Sequence, residues 1–231
     1  MSHESAYNKR LTAETKMDKV EGVLDHLNLP PKVIEFIRSN NRALLIAIIV
    51  FVTAVVFWSF YGSYKDRVRE EAASALSQAM LQEASLRSDA LSKVTEQYGS
   101  TTSGLWAKVE LAHLDMQKSD YEQAAVKYGA LLSSLGAKDP LYPLVLFGLA
   151  QAFEASEKYP DAGKNYDLLK EIDGYKHIGY MSLGRLEEAQ HNDDKAIAIY
   201  NNFILSAGDD PSFAQSRTEI MSRIAMLKAK R

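Results

Sequence analysis

The chain has 231 residues, no cysteine and a formal net charge of −3. This length allows one domain with a sizeable core, and the absence of cysteine excludes disulfide bonds and thiolate metal sites. Its 27 basic and 30 acidic residues give no basic excess, so a nucleic-acid-binding face of clustered lysine and arginine is not expected.

Residues 1–42 form a polar head that is too short to be expected to fold alone. The first sixteen residues have no hydrophobic period, and we expect disorder there. Apolar residues recur at spacings of three and four across residues 17–27, which predicts a short amphipathic helix that the following proline pair ends. A second amphipathic run, residues 32–38, fits either a helix at a membrane interface or a solvated spacer.

Residues 43–64 form an apolar segment without a charged residue. As a helix this segment would be about 33 Å long, close to the roughly 30 Å hydrocarbon core of a bilayer. It begins too late and is too long for a cleavable signal peptide, and a helix apolar on every face would need a larger soluble protein around it. We predict a single transmembrane helix over residues 43–64.

The basic residues next to this segment are equally numerous at its two ends and so do not determine its orientation. Three basic residues lie close to each of its ends, namely Lys32, Arg38 and Arg42 before it and Lys65, Arg67 and Arg69 after it. Four further basic residues in the head favour a cytoplasmic N-terminus. We therefore expect a cytoplasmic head and a C-terminal domain on the other side of the membrane.

Residues 65–231 are predicted to be helical hairpins that glycines and prolines separate. Within them an alanine is followed four residues later by a tyrosine three times, at Ala124 and Tyr128, Ala162 and Tyr166, and Ala196 and Tyr200. Twelve residues before each alanine lies a small residue preceded by leucine, at Leu111 and Ala112, Leu149 and Ala150, and Leu183 and Gly184. We interpret these twelve positions as repeat-packing residues, because small residues let two helices approach closely and stacked hairpins bury one continuous core.

This pattern resembles the tetratricopeptide repeat, in which a helix with Leu-Gly is followed by a helix with Ala-x-x-x-Tyr. A degenerate first unit is expected around Ala90 and Val94, and a capping helix over Ser212 to Lys230. The predicted fold is all-α, with one N-terminal transmembrane helix, a tetratricopeptide-like α-solenoid of about four helical hairpins, and a C-terminal capping helix.

The resemblance implies a ligand groove lined by positions two, five, nine and twelve of each first helix. A peptide groove is therefore expected at Trp106, Val109, His113, Met116, Leu144, Phe147, Gln151, Glu154, Ile178, Met181, Arg185 and Glu188. Positions two and five are all apolar, which suits an extended or helical peptide. The alternative is that a neighbouring helix covers this strip and makes it ordinary core.

Enzymatic chemistry has no candidate residues in the sequence. The five histidines are scattered without metal-ligand spacing, and phosphate-binding loops and nucleophile elbows are absent. We expect no catalytic residue, no metal, no cofactor, no small-molecule substrate and no enzymatic activity. Val109 and His113 also stand where chaperone-tail clamps of the repeat family have Lys and Asn, so binding of chaperone C-terminal tails is disfavoured.

The architecture and the run at residues 33–44, VIEFIRSNNRAL, resemble the YfgM-like family of ancillary Sec-translocon subunits. The similarity covers residues 32–231 and implies a single-pass protein of the bacterial inner membrane with a cytoplasmic N-terminus and a periplasmic domain. It also implies contact with membrane lipid, with the translocon channel, and with a periplasmic chaperone or emerging unfolded chains.

Two functional hypotheses follow from the sequence. The first is a non-enzymatic scaffold or adaptor whose helical-repeat domain binds polypeptides near the Sec translocon. The second is a structural protein of envelope organisation or cell division whose repeats mediate oligomerisation.

Overall fold

The computed structural model describes residues 30–230, which form helices and turns without a strand. The predicted all-helical class is confirmed. The expected disorder of residues 1–16 and the predicted helix at 17–27 lie outside the described residues. The α-helices are α1 Pro31–Ser39, α2 Asn41–Met80, α3 Ala84–Tyr98, α4 Thr102–Gln117, α5 Tyr121–Ser134, α6 Tyr142–Ala155, α7 Tyr159–Lys170, α8 Lys176–Ala189, α9 Asp193–Ala207 and α10 Ala214–Ala229.

Two compact units divide the chain, Met1–Lys65 and Asp66–Arg231, with the boundary inside α2. In the first unit α1 begins at a proline, which fits the first helical turn because the backbone N–H missing there has no helical acceptor. The unit also holds the apolar part of α2, whose large side chains are exposed. Among the described helices α2 is long and apolar enough to cross a membrane, and none of its most apolar stretch is buried.

In the second unit, Asp66–Arg231, each helix from α3 to α9 packs against the next, and α10 packs against α9. The buried residues form four clusters in chain order. They join the end of α2 with α3 and α4, then α4 to α6, then α6 to α8, and finally α8 to α10. The core is therefore a series of contacts between sequence neighbours, as in a solenoid.

The twelve repeat-packing residues belong to these clusters or pack directly against their members. Ten of them are buried, while Leu111 and Leu183 are partly buried and pack against neighbouring clusters. A close contact of this kind is at Gly184, where an added Cβ would overlap the ring of Tyr200, which is fully buried. A side chain as small as alanine therefore does not fit at this position without movement of the ring.

The three turns inside the hairpins share one backbone geometry. Ser119, Glu157 and His191 have φ values of 61°, 61° and 59°, in the left-handed region. In each turn the next residue's N–H donates to the carbonyl oxygen five residues before it, at 2.8–2.9 Å. This bond and the left-handed residue define the Schellman ending of a helix, which is usually built on glycine.

The C-terminal helix differs slightly from its predicted bounds. A 3₁₀ turn at Pro211–Phe213 precedes α10, which begins at Ala214 and not at Ser212. The Asp210 carboxylate accepts a hydrogen bond from the Ser212 N–H at 2.9 Å and so stabilises this turn. The helix covers the end of the array with Ile220, Ile224 and Leu227, all of them buried.

The left-handed turns predict a stabilising substitution. Glu157→Gly is expected to raise the free energy of unfolding by about 0.5–1 kcal/mol, because the strain it removes exceeds the entropy that glycine adds to the unfolded chain. Urea unfolding of the full chain in detergent, followed by circular dichroism, measures this change. The matched control is Ala130→Gly at an exposed position in α5, which is expected to lose about 1 kcal/mol. A lower free energy of unfolding in Glu157→Gly would contradict the claim that the left-handed backbone at this residue is strained.

Candidate functional site

A cavity of about 270 Å³ lies between α4 and α6 and is the structure's main candidate site. We call it the junction pocket, because it lies where the first complete hairpin meets the second. Six of the twelve predicted groove residues line it, and Glu110, Tyr128 and Gly148 complete its lining. The six are Trp106, Val109, His113, Leu144, Phe147 and Gln151.

The lining of the junction pocket combines apolar walls with a few polar groups. Trp106 and Leu144 are exposed by 38% and 36% and are accessible from solvent. Val109 is only 6% exposed and belongs to the core cluster of α4 to α6, so it contributes to the core as well as to the pocket. Gly148 allows a close contact, since a Cβ there would lie 2.7 Å from the ring of Tyr128.

The other six predicted groove residues are not part of this pocket. Met116, Ile178 and Met181 are partly buried and pack against the core clusters. Glu154, Arg185 and Glu188 form ion pairs and hydrogen bonds between helices. The structure therefore brings together the first half of the predicted groove, and the second half has packing and polar contacts of its own.

One set of these polar contacts joins the second complete hairpin to the third. The Tyr166 hydroxyl of α7 donates to Glu154 Oε2 of α6 at 2.6 Å. Arg185 Nη2 of α8 donates to the same Glu154 oxygen at 2.8 Å and lies 3.5 Å from the Tyr166 hydroxyl. We call this arrangement of one glutamate, one tyrosine and one arginine from three successive helices a bridging triad.

A second bridging triad joins the third hairpin to the capping helix. The Tyr200 hydroxyl of α9 donates to Glu188 Oε1 of α8 at 2.6 Å, and Arg223 Nε of α10 donates to the same oxygen at 2.9 Å. Glu188 lies 34 residues after Glu154, and Tyr200 lies 34 residues after Tyr166. The two triads therefore occupy equivalent positions in successive repeats.

The electrostatic environment of the triads follows from their burial. Burial raises the pKa of the Tyr166 and Tyr200 hydroxyls, and their hydrogen bonds to the glutamates raise it further. Burial also raises the pKa of Glu188, but the hydrogen bonds from Arg223 and Tyr200 outweigh burial and hold it below its usual value. The carboxylate of Glu188 is therefore ionised at neutral pH.

The junction pocket is the position where a bridging triad is missing. Tyr128 of α5 corresponds to Tyr166 and Tyr200, but Met116 stands where the glutamates are and Gln151 stands where Arg185 is. Among residues 30–230, none forms a hydrogen bond with the Tyr128 hydroxyl. Burial raises its pKa to about 12, with further contributions from the charges of Glu110 and Asp115.

Three residues that line this site, Glu110, Tyr128 and Gly148, are not among the predicted groove residues. Glu110 lies four residues after Trp106, a spacing that places both on one helix face, and this spacing is the signal that could have found it. The sequence pattern assigns Tyr128 to repeat packing alone. Its hydroxyl has no hydrogen-bond partner among residues 30–230, because the glutamate and the arginine of a triad are replaced at this junction. Within the part of the chain that the structure describes, no group of three His, Asp or Glu side chains could hold a metal ion.

Comparison with known proteins gives the same fold. Residues 35–202 match the family described as "Tetratricopeptide repeat-like domain". Two similar solved structures are of a candidate kinesin light chain from Podosopora anserina with nearly identical TPR-like repeats, one of them a variant of that protein. Each is 16% identical, with a TM-score of 0.53 over 71% of this chain and 88% of the other.

At this identity the similarity shows the fold alone. No curated protein matches the sequence. The predicted tetratricopeptide-like solenoid is confirmed.

The triad at Glu188 predicts a pH-dependent contribution to stability. Because the folded-state pKa of Glu188 is lowered, its stabilisation is present above the unfolded-state pKa, near 4.3, and is lost as the pH falls through the folded value. Glu188→Gln is expected to lower the free energy of unfolding by about 1–2 kcal/mol at pH 7, and the difference from the natural chain should shrink between about pH 5 and pH 3.

Urea unfolding at a series of pH values measures this difference. The control is Glu122→Gln, which removes the exposed carboxylate that pairs with Lys158, and its stability is expected to stay near that of the natural chain. A difference between Glu188→Gln and the natural chain that does not change with pH would contradict the assignment of the effect to the ionised carboxylate.

Proposed function

Because the chain belongs to the tetratricopeptide repeat-like domain family, we propose that it is a non-enzymatic, membrane-anchored scaffold whose repeat domain binds other polypeptides. The observation that carries this proposal is the junction pocket, which offers exposed Trp106 and Leu144 beside polar groups on a repeat fold. Such folds typically act as protein-interaction scaffolds and not as catalysts.

Membrane anchoring by α2 is the second part of the proposal. Its uncharged segment, residues 43–64, exposes most of its large apolar side chains, with Phe57, Trp58 and Phe60 exposed by 72%, 84% and 73%. Exposing this much apolar surface to water is unfavourable, so the segment requires an apolar environment. The length of the segment fits the hydrocarbon core of a bilayer. The aromatic residues toward its end are typical of a membrane interface.

The setting of the proposal is the bacterial inner membrane, with the head in the cytoplasm and the repeat domain in the periplasm. It rests on the similarity of residues 33–44 to the YfgM-like ancillary subunits of the Sec translocon and on the basic residues of the head. The partners would be the translocon channel, a periplasmic chaperone or emerging unfolded chains, with membrane lipid around α2.

Site-specific photocrosslinking in cells tests polypeptide binding at the junction pocket. A benzophenone amino acid at Trp106 is expected to give covalent adducts with polypeptides other than this chain. The matched control carries the same group at Val126, an apolar residue of α5 that is 63% exposed and does not line the pocket. Equal adducts at the two positions would contradict the proposal, and adducts between copies of this chain alone would favour the oligomeric structural role.

Labelling of single cysteines tests the orientation, since the natural chain has no cysteine. Ser133→Cys, at an exposed position of α5, is expected to react with a membrane-impermeant maleimide in cells with a permeabilised outer membrane. Ser5→Cys in the head is expected to react only after lysis. The reverse pattern would place the repeat domain in the cytoplasm and contradict the proposed setting.

A further inference from the structure

The two bridging triads indicate what the junction pocket lacks. In both triads an arginine of the next first helix, Arg185 or Arg223, places its guanidinium beside a buried tyrosine and a glutamate. At the junction pocket the tyrosine is present as Tyr128, but the corresponding position of the next helix is Gln151. Within residues 30–230, therefore, no arginine lines the junction pocket.

We propose that the junction pocket binds an arginine side chain of a polypeptide partner, whose guanidinium occupies the place that Arg185 and Arg223 occupy in the following junctions. This inference rests on the proposed function, polypeptide binding by the repeat domain, and names the side chain that is recognised. The occupant is defined by its chemistry, a planar cation on a flexible apolar stem.

Charge is the first reason for this assignment. Glu110 lines the pocket together with Tyr128, and its charge raises the pKa of the Tyr128 hydroxyl. Among residues 30–230, no basic side chain forms an ion pair with Glu110, whereas the nearby Asp115 is paired with Lys127. An incoming cation would therefore meet a carboxylate that has no internal partner, which favours a charge-assisted hydrogen bond.

The apolar walls are the second reason. Trp106 lies one helical turn before Glu110 on α4, and its partly exposed ring offers a face on which a guanidinium can stack. Leu144 and Phe147 of α6 lie on the pocket's lining beside it, where the methylene groups of an arginine stem can pack. A cation, a stacking plane and an apolar stem are properties that arginine combines.

The acceptors and the size of the pocket are the third reason. Tyr128, Gln151 and Glu110 line one cavity, and their side chains carry hydroxyl, amide and carboxylate oxygens that can accept hydrogen bonds. A guanidinium carries five donors in a fixed fork that can reach several acceptors at once. Lysine presents its donors from one compact point and stacks less well. The volume of about 270 Å³ is below the roughly 300–1,000 Å³ of pockets for drug-sized ligands, so a single long side chain fits better than a cofactor.

Peptide binding to the full chain in detergent tests the inference. The chain has two tryptophans, Trp58 and Trp106, so Trp58→Phe leaves Trp106 as the reporter of the pocket. The probe is a blocked seven-residue peptide, Ala-Ala-Leu-Arg-Leu-Ala-Ala, titrated against Trp106 fluorescence. Its matched control carries citrulline, which keeps the shape of arginine and removes the charge. We expect the Kd of the citrulline peptide to be at least about 10-fold higher than that of the arginine peptide.

Variants of the pocket provide the second arm. Glu110→Gln is expected to weaken binding of the arginine peptide by about 10-fold and to leave the citrulline peptide unchanged. The pair Met116→Glu and Gln151→Arg installs the missing triad and is expected to abolish binding of the arginine peptide while raising the thermal unfolding temperature. The control, Glu122→Gln, changes a carboxylate outside the pocket and should leave both Kd values unchanged.

Equal Kd values for the two peptides, no binding of either at millimolar concentration, or an unchanged Kd in Glu110→Gln would each overturn the inference. These outcomes are distinct from failure of the proposed function, which the crosslinking at Trp106 tests without any assumption about arginine. Polypeptide adducts at Trp106 together with equal peptide Kd values would retain the scaffold and reject arginine recognition.

Discussion

The close approach of two helices at a small residue is the contact on which the repeat domain depends. Ala112 and Ala150 are fully buried, and at Gly184 even a methyl group would meet the ring of Tyr200. The tyrosine therefore fills the space that the small residue leaves, and in two repeats its hydroxyl donates a hydrogen bond to a glutamate of the preceding helix. The bridging triads follow from this geometry, since that hydroxyl meets a glutamate and an arginine in two repeats.

The difference between the junctions comes from a few substitutions in an otherwise regular pattern. Where glutamate and arginine are present, the tyrosine hydroxyl has partners and the junction is joined by ion pairs. Where Met116 and Gln151 replace them, the equivalent tyrosine, Tyr128, lines a cavity together with Glu110 and Trp106. A repeat protein can thus form a recognition site by omitting an internal contact at one repeat and leaving the rest of the scaffold unchanged.

The sequence was sufficient for the fold because the repeat leaves a fixed spacing of small and aromatic residues. Ala124 and Tyr128, with their counterparts, mark the helices and their packing through this spacing alone. The triads were not predicted, because the sequence pattern assigned Glu154, Arg185 and Glu188 to the peptide groove, and it is the folded packing that places a tyrosine hydroxyl against each glutamate. The left-handed turns were also missed, since Ser119 and Glu157 stand where glycine is usual.

Each core cluster is shared by helices that are neighbours in the sequence, so each hairpin is stabilised mainly by the hairpins next to it. One hairpin can therefore open while others stay folded. Among residues 30–230, no side-chain hydrogen bond or ion pair joins α4 to α6, the two helices beside the pocket, whereas ion pairs join α6 to α8 and α8 to α10. A ligand that binds the closed junction and not the open one would stabilise these helices by an amount that grows with ligand concentration relative to Kd. Occupancy of the pocket and stability of this part of the array would then be thermodynamically linked, so that each would rise with the other.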